Sequence, residues 1–385
     1  MKFPNVLRFS VAGAALLAGL YIAAPAGAAE PIRVGAVLST SGPATFLGDP
    51  EEKTLKLYVD RINAEGGVLG RKLELFAYDD GSDPGKANSF TKRLILQDKV
   101  DFIVGGSTTG STMAMIPLVE ANKVPFMSMG AANVIVQPIR PYVFKLPHSD
   151  TMAAEKILGD MKARGLTKFA MLSDTGGFGK SSRSETLKVA KKLGMTVVSD
   201  QSYGEKDTDM TPQLQKIKST DAQAVLISGT GQAPAIATKN YRQLGLKLPL
   251  YMTHGQATVV YIKLAGPASE GVRLPTPALL VADQLADNDP QKKIGMDYKR
   301  TFEDAYKIDV STFGGYAYDG LMMTLAAIKK AGSTDKQKVR DVLEHLKNFD
   351  GVNGVYNMIP TDHMGLNESA FHMAVIKDGK FVKLD

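Results

Sequence analysis

The sequence predicts an α/β protein built as two doubly wound lobes, on three observations: its length, an alternation of short apolar strands with helical repeats, and one restart of that alternation midway. At 385 residues the chain exceeds what one core can serve, since cores stop growing near ~250 residues. The run Ile32–Leu38 is apolar and ends in Ser39-Thr40-Ser41-Gly42-Pro43, as a buried strand leaving through a polar turn does. A helix should follow, with Asp49 as its cap, Pro50 in its first turn, Glu52 completing a capping box, and Leu55, Val59 and Ile62 on one face before Gly66-Gly67. A strand at 72–78, a helix at 87–97, a strand at 102–104, a helix at 111–122 and a strand at 125–128 complete a first β-α-β series. Right-handed crossovers put such helices on both faces of a parallel sheet. The series restarts with strands at 169–173, 196–199, 224–228 and 250–253, and helices at 179–193, 212–218 and 233–244. Helices at 301–306, 317–331 and 336–346 follow, then antiparallel pieces at 351–356 and 371–384, the last turning at Asp378-Gly379.

Composition narrows the function. Apolar residues are 44% and charged residues 22% of the chain, close to globular averages. There is no cysteine, which excludes disulfides, thiolate metal sites, thiol nucleophiles and Cys-linked lipid anchors. At the N-terminus, Lys2 and Arg8 precede an apolar stretch from Val11 to Ala24, and Ala26-Gly27-Ala28 follows with small-x-small spacing. This predicts an export signal over 1–28, cleaved near Ala28, with an uncleaved anchor as the alternative. Loss of Lys2 and Arg8 would take the formal charge from +6 to +4. Without basic runs or interleaved aromatics, that surplus gives no reason to invoke nucleic acid.

In open α/β sheets, ligands bind beyond the carboxyl ends of the strands. Those ends are 39–42, 107–112, 130–133, 174–179, 229–232 and 254–256, and they combine glycine with hydroxyl, amide or charged residues, or with alanine at 131–132. Glycine permits close backbone approach, and hydroxyls with free N–H groups suit a carboxylate. Gly179-Lys180-Ser181 resembles the end of a P-loop, but Asp174 stands where that pattern needs glycine. Gly105-Gly106-Ser107-Thr108-Thr109-Gly110 lacks dinucleotide-binding spacing, and no G-x-S-x-G elbow occurs. The histidines at 148, 254, 345, 363 and 372 form no short metal pair. No catalytic residue, metal or cofactor is expected.

From Ile32 onward the chain resembles the leucine/isoleucine/valine-binding type of solute receptor, the type I periplasmic binding proteins of ATP-driven importers. The likeness rests on Val34-Gly35 to Ser41-Gly42-Pro43, on Asn63-Ala64-Glu65-Gly66-Gly67-Val68-Leu69-Gly70, Asp79-Asp80, Thr108-Thr109-Gly110, Val124-Pro125, Asp174 with Phe178-Gly179, and Ala265-Gly266 with Glu270-Gly271. It implies two lobes joined by a three-strand hinge and closing on a ligand, with lobe 1 over 30–148 plus 276–350 and lobe 2 over 149–275 plus 351–385. It implies that Thr108 and Thr109, with backbone at Gly130 and Ala132, hold a ligand carboxylate. Phe46, Leu47, Phe178 and Thr230 would form walls, and His148 stands near the first crossing. His254 falls where branched-chain amino-acid receptors place an acid for the ammonium, and a histidine supplies no such charge. The ligand is therefore expected to be an amino-free carboxylate such as an aromatic acid, unless the alignment slips by one residue or Asp174 supplies the charge. The expected partners are this small carboxylate and an inner-membrane ABC permease, for a monomer in the periplasm. A sensor docking to a signalling protein is the alternative.

Overall fold

A computed structural model describes Met1 and residues 30–384; the export signal expected over 1–28 lies outside the described residues apart from Met1. The first sheet is formed by β1 (Ile32–Leu38), β2 (Leu73–Asp79), β3 (Phe102–Gly105), β4 (Phe126–Ser128) and β5 (Val143–Lys145), in the order β2-β1-β3-β4-β5 and parallel throughout. Helices α1 (Thr45–Ala64), α2 (Pro84–Leu96) and α3 (Thr109–Ala121) make its crossovers. Both faces are covered, as the near-continuous apolar strands require. In β1 the side chains alternate: Val34, Ala36 and Leu38 enter one core, and Val37 enters the other with Ile103 and Phe126.

The chain then forms α4 (Asp150–Ala163), β6 (Lys168–Asp174), α5 (Gly177–Leu193), β7 (Thr196–Tyr203), α6 (Thr211–Lys218), β8 (Ala224–Ser228), α7 (Ala233–Gln243), β9 (Leu250–Met252), α8 (Val259–Ala265) and β10 (Arg273–Pro277). It returns to the first lobe with α9 (Pro290–Tyr306), α10 (Thr312–Ala331), α11 (Lys336–Glu344) and the short pair β11 (Phe349–Asp350) and β12 (Val355–Tyr356). Finally β13 (Phe371–Lys377) and β14 (Lys380–Lys383) join the second sheet, ordered β14-β13-β10-β9-β8-β6-β7. β13 runs antiparallel to both β10 and β14. The last hairpin turns where expected: Asp378 at φ 51° and Gly379 at φ 71° give the two left-handed residues of a tight hairpin turn. Alternation holds here as well, with Ala170 and Leu172 in one core and Phe169 and Met171 in the other.

Three of the differences from the sequence expectation concern helix starts and the crossing between lobes. Helix α1 begins at Thr45, with Ala44 as its cap and Pro50 inside it, whereas Asp49 pairs along the helix with Lys53. Burial of Leu47 and Gly48 against the end of β1 outweighs the hydrogen bond that Pro50 denies to the carbonyl of Phe46. Helix α9 starts at Pro290, eleven residues before 301, where the Asp289 side chain caps it by accepting the Gln291 N–H at 2.9 Å and Pro290 takes the first helical turn. The third crossing does not fall at 350–351. Val352, Tyr356, Met358, Met364 and Leu366 all lie in the first lobe's core. Buried Asp319 of α10 fixes that segment there, accepting hydrogen bonds from the N–H groups of Val352 (2.7 Å) and Asn353 (3.1 Å) and from the Tyr356 hydroxyl (3.1 Å).

Three connections therefore join the lobes: 146–149, 278–289 and 367–370. His148 ties the first to the third. Its ring nitrogens lie 2.9 Å from the Ala370 carbonyl and 3.1 Å from the Tyr316 hydroxyl, and its ring stacks on Phe371 at 3.9 Å. Gly48 shows how closely α1 is set onto β1: a Cβ there would lie 2.2 Å from the Ser39 carbonyl carbon. Gly48→Ala should lower stability by about 1–3 kcal/mol through overpacking, read as a lower midpoint in denaturant unfolding.

Candidate functional site

The carboxyl ends of both sheets meet at one cleft of about 480 Å³. On the first lobe, Gly106 turns the chain out of β3 at φ 70°, where a Cβ would lie 2.4 Å from the Thr112 hydroxyl. Thr108 then caps α3, its hydroxyl accepting the Ser111 N–H at 3.0 Å. Thr109 opens the helix; its hydroxyl is buried and has no hydrogen-bond partner among the described residues. On the second lobe, α5 starts at Gly177 and presents Phe178. A Cβ on Gly177 would lie 3.1 Å from the Thr109 methyl, so the N-terminal ends of α3 and α5, which both line the cleft, come into contact there. Both ends carry partial positive charge.

Asp174, at the end of β6, braces the second wall. Its carboxylate accepts the N–H groups of Gly176 (2.9 Å) and Thr230 (3.0 Å). Burial pushes its pKa up to about 6, with nearby Glu205 adding to the shift. Its oxygens are thus committed to the loops rather than offered to a ligand. His254 is buried at the back of the cleft, with both ring nitrogens unpartnered among the described residues. Phe178 and Phe371 meet its ring at centroid distances of 5.2 and 5.4 Å. Burial, and then the charge of Lys145, lower its pKa to about 3. It is a neutral imidazole with one donor and one acceptor to give.

Of the residues singled out by sequence, Leu47, Thr108, Thr109, Phe178, Thr230 and His254 line the cleft. Four do not. Phe46 is half-buried beside the cleft, edge-on to Phe313 at 5.6 Å and with its ring 3.8 Å from where a Cβ on Gly231 would stand. The Gly130 N–H is bonded to the Ser128 hydroxyl at 3.2 Å, and Ala132 is fully buried while Met129 and Ala131 face the cleft. His148 is neither a wall nor exposed; it is the hinge tie described above. Sequence reasoning missed Ser82 and Asp83 after β2, Glu205 and Lys206 after β7, and Phe313 and Tyr316 on α10. The first four stand beyond strand ends: the same rule finds Ser82 and Asp83 after β2, and Glu205 and Lys206 once β7 is extended from 199 to Tyr203. Glu205 also supplies a cleft carboxylate that the reading of His254 did not include, and it makes no ion pair among the described residues.

The lowered pKa of His254 sets a sign for stability. A histidine held neutral when folded, with pKa about 3 against 6.5 unfolded, stabilises above the unfolded value and loses that contribution as pH falls toward the folded one. Wild-type stability should therefore drop from about pH 6 downward, and His254→Phe should show a shallower drop in urea unfolding across the same range.

Residues 31–380 match the family model described as periplasmic binding protein. A leucine-, isoleucine-, valine-, threonine- and alanine-binding protein of Pseudomonas aeruginosa is 26% identical over 346 residues, covering 89% of this chain and 87% of that protein. A Leu/Ile/Val-binding protein homolog of Brucella melitensis is 25% identical over 380 residues, covering 96% and 99%. Among solved structures, an extracellular ligand-binding receptor from Rhodopseudomonas palustris superposes with a TM-score of 0.86 at 29% identity, over 92% of this chain and 99% of that one. The branched-chain amino acid transporter substrate binding protein of Streptococcus pneumoniae, solved with isoleucine, shares the fold at a TM-score of 0.82 and 22% identity, over 92% of this chain and all of its own. With a two-lobed α/β fold and a family match across nearly all of the described residues, the chain belongs to the periplasmic binding protein family and has its type I fold.

Proposed function

We propose that this protein is the periplasmic substrate-binding component of an ABC transporter, capturing a small carboxylate between its lobes and delivering it to an inner-membrane permease. The observation that carries the proposal is the buried, unbonded Thr109 hydroxyl, set where the N-terminal ends of α3 and α5 converge. A carboxylate there gains charge-assisted hydrogen bonds from one lobe and the favourable end of a helix from the other. A ligand touching both lobes binds the closed arrangement more tightly than an open one, and so shifts the population toward closure. The permease reads that closed form.

His254 indicates the ligand class. A neutral imidazole against Phe178 suits an aromatic or other amino-free acid, whose distal hydroxyl or carbonyl can meet a ring nitrogen. One observation favours a second reading. Glu205 lines the cleft without an ion-pair partner among the described residues and could meet an ammonium group, which fits an amino acid. The names of the Pseudomonas and Brucella relatives point the same way.

Titration calorimetry with benzoate and leucine separates the two. The first reading expects benzoate to bind, leucine to bind weakly, and Glu205→Gln to change neither. Tight leucine binding that Glu205→Gln abolishes would establish the second. Under either, Thr109→Ala should weaken binding by about 1–3 kcal/mol, the cost of a lost hydrogen bond to a charged group, and unchanged affinity would remove Thr109 from the site.

A further inference from the structure

Behind Ser107, on the inner side of the cleft wall, lies a buried polar knot that the ligand contacts described above do not use. Glu51 of α1 and Asp80, in the turn after β2, are both fully buried. The Ser39 N–H donates to the Ser107 hydroxyl at 3.0 Å, and that hydroxyl is hydrogen-bonded to Glu51 Oε2. The Ser39 hydroxyl and the Ser82 N–H both donate to Asp80 Oδ1 at 2.7 Å. Glu51 Oε1 and Asp80 Oδ2 have no partner, and no basic side chain pairs with either carboxyl among the described residues. The groups facing Glu51 are thus Ser107 from the end of β3, and Asp80 with its own donor Ser39 from the ends of β2 and β1. Two buried carboxylates without a cation is a costly arrangement, and it is relieved when one of them carries a proton.

Burial raises the Glu51 pKa well above the usual carboxylate range, against the lowering effect of Ser107, and Asp80 raises it further. Ser107 has one hydrogen and two lone pairs. One lone pair takes the Ser39 N–H. With Glu51 ionised, the hydrogen goes to Glu51 and only a lone pair is left, which repels an anion. With Glu51 protonated, the acid proton goes to Ser107 and the serine hydrogen is left over. Ser107 lines the cleft beside Thr108 and Thr109.

We propose that Glu51 is a specificity-determining residue that works through Ser107: as a neutral acid it makes the serine hydroxyl a donor to a bound carboxylate, and when it ionises the cleft loses affinity for anions. This rests on the carboxylate reading above, and it holds for amino-free acids and amino acids alike.

The test is calorimetry with benzoate and with leucine from about pH 5 to about 10, on the wild type and Glu51→Gln, whose amide N–H stands in for the acid proton. The expected result is a wild-type affinity that falls with rising pH, approaching tenfold per pH unit above the Glu51 midpoint, as linkage to one proton requires. Glu51→Gln should lack this fall. Asp80→Asn, which removes a neighbouring negative charge that raises the Glu51 pKa, should move the fall to lower pH. Wild-type and Glu51→Gln profiles that run parallel, flat or falling, overturn the proposal. If neither probe binds the wild type at any pH, the carboxylate reading fails and the proposal with it. Unfolding supplies a readout without ligand: a raised folded pKa contributes stability below the unfolded value that is lost as pH rises through the folded one, and Glu51→Gln should abolish that loss. Identical stability profiles in urea would show Glu51 ionised throughout, which also overturns the proposal.

Discussion

Parallel strands end with their backbone groups pointing one way, and this constraint organises the molecule. The ends of β3 and β6 lead directly into the first turns of α3 and α5, so each lobe delivers a helix N-terminus to the same place. Nothing else in the fold needs to carry formal positive charge for an anion to be held there. The inner wall is accordingly neutral, with Thr109, His254 and Phe178 contributing hydrogen bonds and apolar surface. Ionised groups such as Glu205 and Lys206 are exposed residues of the rim. Asp174 illustrates the same economy: an acid bonded to the cleft-lining Thr230 is occupied in holding two loops by their N–H groups.

The hinge and the site are neighbours rather than separate devices. Phe371 touches the His148 ring on one side and the His254 ring on the other. His148 in turn is bonded to Tyr316, which lines the cleft from α10. A ligand seated on His254 is thus one aromatic ring away from the residue joining two of the three connections. Burial lowers the pKa of His148 well below its ordinary value, with His254 itself adding to the effect. Keeping both rings uncharged avoids two cations in contact within an apolar setting.

Most strands were legible because a buried parallel strand is a short apolar run bounded by turn residues, too short for a helix. The Asp378-Gly379 hairpin was legible because only certain residues adopt left-handed backbone. Helix limits were less so. Pro50 and Asp49 imitate a helix start, and only contact with Ser39 reveals that α1 has begun earlier. Helix α4 gave no sequence signal strong enough to stand out, since its cap Ser149 follows a connection that reads as irregular. The site divides the same way. Residues at strand ends follow from a general rule of α/β sheets, whereas Phe313 and Tyr316 enter from a helix about two hundred residues further on, through a topology that local pattern does not encode.

The path of the chain has one more effect. Because Asp319 keeps 352–366 with the first lobe, the second sheet receives β13 only after that long excursion, and β10 pairs with it across 94 residues, from Pro277 to Phe371. Neither lobe is a contiguous stretch of sequence. A protease nicking the 278–289 connection would release no fragment, because each half is still stitched to the other through 146–149 and 367–370. The molecule is in this sense laced rather than linked, and it would have to lose the packing within a lobe before its halves could part.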